Sequence, residues 1–117
     1  IQKVSNLKGL LGQEMEITDL KEYNNDLFLK TSENQVYQLD MFLNLKKEFQ
    51  SPYNDLIFYK GFLVDLEENK LIFTHLESNE KKIIPIDEIS ASELKVVGNS
   101  FYFSTKYEIK VYEYNPD

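Results

Sequence analysis

Cysteine, tryptophan and arginine are absent from this sequence, and glycine and proline are scarce, with four and three residues. Without cysteine there are no disulfide frameworks, thiolate zinc sites, iron–sulfur clusters or thiol nucleophiles. All thirteen cations are lysines, so the bidentate guanidinium grip on phosphate or on guanine edges is missing too. The glycines Gly9, Gly12, Gly61 and Gly98 build no phosphate cradle, because Gly9-Leu10-Leu11-Gly12 is not followed by Lys-Ser/Thr. No run approaches the ~18 unbroken apolar residues of a membrane span. Ile1 opens the sequence without the charged and then hydrophobic regions of an export signal, as expected of a chain that starts within a longer protein or has been trimmed.

What is present is acidic and β-rich in character. The 117 residues carry 20 acids, 13 cations and one histidine, for a net charge of −7, and 42% are hydrophobic. Such a length fits one globular domain. The negative charge disfavours an electrostatic hold on nucleic acid or anionic lipid, since no excess positive charge displaces counterions.

Hydrophobic periodicity orders the chain. Ile1, Val4, Leu7 and Leu11 are spaced as on a short helix before Gly12, and Gln13 to Leu20 alternates like a half-buried strand. Leu27–Thr31 and Val36–Met41, separated by Ser32-Glu33-Asn34-Gln35, read as a hairpin. Phe42, Leu45 and Phe49 fall at i, i+3 and i+7 before Ser51-Pro52, which predicts a short helix over 42–50. Leu56 to Leu66 predicts a strand bent or bulged at Gly61 and buried on both sides. Leu71–Leu76 returns antiparallel, and Pro85 places the segment Lys82–Ile86 at an edge or a strand end. Asp87 to Glu93 reads as a polar connection with one helical turn. Strands follow at Leu94–Val97, Phe101–Phe103 and Ile109–Tyr112.

The expectation is therefore an all-β domain with about eight strands and one short helix. A small OB-type or SH3-like barrel over residues 8–77, with 78–117 as a strand extension, fits the element order; a β-sandwich is the alternative. The runs Asn25–Thr31 and Asn99–Thr105 resemble each other, and such hairpins recur in propeller blades. Blades repeat every ~40–50 residues and a closed propeller needs at least four, so two independent hairpins are expected instead.

Chemistry-bearing candidates are few. His75, the only histidine, lies in an apolar strand with no local serine and carboxylate signature, and is expected to be structural. Asp65, Glu67 and Asn69 imitate the start of a calcium loop, but Lys70 stands where the loop needs glycine and Leu76 where it needs a bidentate acid. No metal, cofactor, small-molecule substrate or membrane is expected as a ligand, and no enzymatic activity. The leading expectation is a non-catalytic module that binds another protein through Tyr102, Tyr107, Tyr112 and Tyr114, since tyrosine is a common interface anchor. An alternative is an OB-type accessory subunit of a single-stranded nucleic-acid complex, with Phe28, Tyr37 and Tyr59 stacking bases beside Lys30 and Lys60. A second alternative is an acidic inhibitor or immunity-type protein occupying a basic cleft.

Overall fold

A computed structural model describes residues 15–53, 55–67, 70–86, 93–104 and 107–113. The chain divides into two compact units, Ile1–Leu56 and Ile57–Asp117. The predicted N-terminal helix lies outside the described residues, as does the polar connection predicted over Asp87 to Glu93 apart from Glu93 itself, which opens a strand.

The first unit holds one antiparallel meander: β1 (Ile17–Tyr23), β2 (Asp26–Thr31), β3 (Gln35–Leu39) and β4 (Leu45–Gln50), paired in sequence order. β1 and β2 meet at Asn24-Asn25, both at positive φ (51° and 67°). This is a type I′ turn, whose twist matches that of the strands it joins. β2 passes to β3 through Ser32-Glu33-Asn34, with Asn34 at φ 61° and its N–H donating to the Thr31 carbonyl. Cross-strand register places Leu29 opposite Tyr37 and Leu27 opposite Leu39. Leu29, Tyr37 and Leu39 form a buried cluster against which Met15, Leu27 and Leu43 pack. The opposite face buries Phe28, Lys30, Val36 and Phe49.

Two expectations fail. Residues 42–50 are not helical: the chain turns over Asp40–Asn44 and runs as β4. The Asp40 carboxylate accepts from the N–H groups of Phe42 and Asn44, both at 2.9 Å, and from Asn44 Nδ2 at 3.1 Å. With the turn fixed, Phe49 pairs with Val36, and strand pairing outweighs the weak helical preference of so short a segment. The OB-type or SH3-like barrel is not found either. Each sheet is an open meander with two edge strands, and none closes into a barrel.

The second unit holds two sheets. β5 (Ile57–Tyr59), β6 (Phe62–Glu67), β7 (Lys70–His75) and β8 (Lys81–Pro85) form a second four-stranded meander. Lys60-Gly61, at φ 46° and 84°, is a type I′ turn between β5 and β6. The sequence predicts a single bent strand there. β8 is an edge ending on Pro85, where the missing amide N–H is tolerated. β9 (Glu93–Val97), β10 (Ser100–Ser104) and β11 (Ile109–Glu113) form the third sheet. Gly98, at φ 60°, opens the tight turn between β9 and β10 in the manner of a type II′ turn.

The described residues thus form eleven strands in three antiparallel sheets, with no helix among them. β1, β5 and β9 start at residues 17, 57 and 93, and each is joined to the next strand by a two-residue turn. The similar runs at Asn25 and Asn99 occupy the same place in this unit, leading into β2 and β10. β6 holds the corresponding position in the second sheet, so the three strands match in placement.

Candidate interaction surface

The third sheet has two unlike faces, set by alternation along β10. Phe101 and Phe103 are buried, while Tyr102 between them is exposed. Register carries this division across the sheet. Tyr102 stands opposite Lys95 on one side and Val111 on the other, Ser100 opposite Val97, and Ser104 opposite Ile109. Residues paired across an antiparallel ladder share a face. Val97, Tyr102, Ile109 and Val111 therefore lie together on the outer face, with Glu93, Lys95 and Glu113 around them.

The inner face packs on the second sheet through aromatic edges. Phe101 meets Tyr59 at 5.0 Å and Phe73 at 5.5 Å between ring centroids, with interplanar angles of 67° and 89°. Phe62 continues the chain of rings against Phe73 at 5.9 Å. Tyr59 Oη donates to Asn99 Oδ1 at 2.7 Å, tying the β9–β10 turn to β5. Edge-to-face pairs of this kind stabilise beyond their burial by about 0.5–1.5 kcal/mol each.

Among the described residues, no such ring packing covers the outer face. Ile109 is 74% exposed and Val97 64%, with Val111 and Tyr102 also open. Tyr102, Val97, Ile109 and Lys95 line a depression of about 350 Å³. Tyr107, 86% exposed, stands just before β11. Single exposed apolar side chains are ordinary on a protein surface; here four of them share one sheet face.

The four predicted interface tyrosines do not act as one group. Tyr102 lies on the outer face. Tyr112 pairs with Phe101 and lies on the inner one, its ring edge-on to Phe103 at 5.4 Å. Tyr107 projects from the segment before β11, and Tyr114 lies outside the described residues. Val97, Ile109 and Val111 share the outer face with Tyr102, and the period-two pattern of β11 is the sequence signal for two of them.

The three rings proposed to stack bases are all buried. Phe28 is fully buried, and Tyr37 and Tyr59 are buried as well. Tyr37 Oη donates to Gln35 Oε1 at 2.7 Å, and burial, with the nearby Glu48 charge, pushes its hydroxyl pKa above the usual value. Lys30 is buried and its Nζ donates to the Ser51 carbonyl. Lys60 is exposed, its Nζ 5.4 Å from the Tyr59 ring centroid. A ring enclosed on both faces offers no surface to a base.

The remaining candidates have structural surroundings. His75 Nδ1 accepts from the N–H groups of Glu77 and Ser78, both at 3.3 Å, and the ring meets Phe62 edge-on at 5.2 Å. The imidazole thereby caps the turn into β8. Asp65 is buried in β6, and among the described residues no three His, Asp or Glu side chains are grouped to hold a metal ion. No helix among them is long and apolar enough to cross a membrane.

Comparison with protein families finds no match, and neither does comparison with curated proteins. Solved structures do match in fold. The computationally designed Ika8 protein superposes with a TM-score of 0.58 at 15% identity, over 85% of this chain and 33% of its own. The AfRom2 CNH domain gives 0.53 at 10% identity, over 85% and 34%. The N-terminal domain of Nup159 gives 0.55 at 18% identity, over 83% and 30%. The likeness is of fold alone. This chain spans about a third of the length of each.

Proposed function

We propose that the chain is a non-catalytic protein-binding or assembly module whose contact surface is the third sheet. The supporting observation is the outer face itself, where Val97, Tyr102, Ile109 and Val111 share one side of β9–β11 and stand open. Contact area is extended by Tyr107 and by β11, which is an edge of its sheet among the described strands. An unpaired edge accepts a further strand through its backbone groups. The single-stranded nucleic-acid reading receives no comparable support, because its three stacking rings are buried.

A photo-crosslinking residue at position 102 tests this directly. It is expected to trap a protein segment in cells, either a partner or another part of the same polypeptide. With the trapped segment purified, Ile109→Asp plus Val111→Asp is expected to weaken binding at least about tenfold, as removal of interface anchors does. Undiminished binding, with the far-ultraviolet circular dichroism of the variant unchanged, would refute the assignment.

A further inference from the structure

The repeated units differ in how their faces are closed. In the first two sheets successive residues of the second strand point to opposite faces and are buried on both, as with Phe28 and Leu29 in β2 and Val64 and Asp65 in β6. In β10 the neighbours Phe101 and Phe103 are buried while Tyr102 is open. A meander repeating about every 40 residues cannot cover its own faces and is closed by the units stacked beside it. The outer face of the third sheet has the make-up of such a packing face. Its centre is aliphatic and aromatic, and its rim carries Glu93 and Lys95, 3.7 Å apart. Solved structures that share the fold are about three times as long as this chain.

We infer that this face is the docking site of a further four-stranded antiparallel sheet of the same design, carried on the same polypeptide. The inference rests on the assembly reading above and names what assembles. The size of the face decides the source. Three strands of five residues, at ~3.3 Å per residue and ~4.8 Å between strands, present about 16 Å by 14 Å. Two such faces bury on the order of 500 Å² together, well below the ~1,200 Å² of stable associations between separate molecules. A tether raises the local concentration of the incoming sheet to roughly millimolar, so a linked sheet closes over a face too small to hold a free one. Separate copies, each at −7, also repel.

Hydroxyl-radical footprinting of Tyr102 and Ile109 tests the inference, in the 117-residue chain and in the longest polypeptide encoded by the reading frame that contains it. The expected result is full labelling of both residues in the shorter chain and loss of labelling in the longer one. Tyr102→Glu is expected to restore labelling of Ile109 in the longer polypeptide and to leave the shorter chain's melting unchanged. A reading frame without further strand-forming sequence, or undiminished labelling in the longer polypeptide, overturns the inference. Shielding that arises only on dimerisation of the 117-residue chain, or only on adding a separate protein, also overturns it and leaves the assembly reading standing. Labelling that stays complete in cells as well removes both.

Discussion

The second and third sheets are built from the same hairpin plan and differ in what their central strands bury. β6 and β7 read Phe62-Leu63-Val64-Asp65-Leu66 and Leu71-Ile72-Phe73-Thr74, and every one of these residues is buried. β10 reads Ser100-Phe101-Tyr102-Phe103-Ser104 and buries alternate residues only. A strand enclosed between layers loses the alternation that a half-covered strand keeps. The alternation of β10 is that of a strand covered on one face, and the third sheet therefore differs from the second in having one open face.

Substitutions sharpen the contrast. Phe73→Ala should have the largest effect, because this ring is fully buried and meets Tyr59, Phe62 and Phe101. A loss of about 3–5 kcal/mol is expected in urea unfolding, with the second and third sheets melting together. Gly98→Ala should cost about 1–2 kcal/mol. No atom beyond the two flanking residues lies within 4 Å of the added Cβ, so the penalty comes from the backbone at φ +60°. Tyr59→Phe, which deletes the bond to Asn99, should cost about 1 kcal/mol. Ile109→Thr should stay within about 0.5 kcal/mol, because that side chain is already in water. A large loss at Ile109 would break the comparison by showing that the outer face contributes to stability in the isolated chain.

Acid should act on the first sheet. Asp26 is held below the usual carboxylate range chiefly by Lys46, whose Nζ lies 2.6 Å from Oδ2, with a further bond from Gln38. Asp40 is lowered first by the Asn44 N–H, then by the Asn44 side chain, with the Phe42 N–H adding to the effect. Groups lowered in the folded state stabilise fully above the ordinary carboxylate pKa of about 4 and lose that contribution as pH falls through their folded values. Methyl signals of Leu29 and Leu39 should broaden along this acid limb, and Asp26→Asn should flatten it.

The sequence revealed strands more readily than their neighbours. The hairpin around residues 27–41, the return strand through His75, the edge position of Pro85 and the final hairpin were all legible, because alternation and turn residues are local signals. β4 was hidden by the coincidence of Phe42, Leu45 and Phe49 with helical spacing, and by the inability of sequence to show that Asp40 would lock a turn. Lys60-Gly61 read as a bulge because a two-residue turn and a kinked strand have the same composition. The site was less legible than the fold. Tyr102 and Tyr112 share even numbering, yet Tyr112 pairs with Phe101 and so faces the opposite way. Which face a residue takes depends on register across the loop, not on its number. Phe28, Tyr37 and Tyr59 were misplaced for the same kind of reason, since the enclosure of a strand depends on layers brought from elsewhere in the chain.

The two-residue turns have a kinetic consequence. Every ladder among the described strands pairs strands that are consecutive in sequence, so none of these strands waits for a distant segment before its sheet can begin. Each hairpin closes a short loop at small entropic cost, and a chain dominated by such near-neighbour pairings reaches its native state faster than a barrel of the same length, which must join its first and last strands.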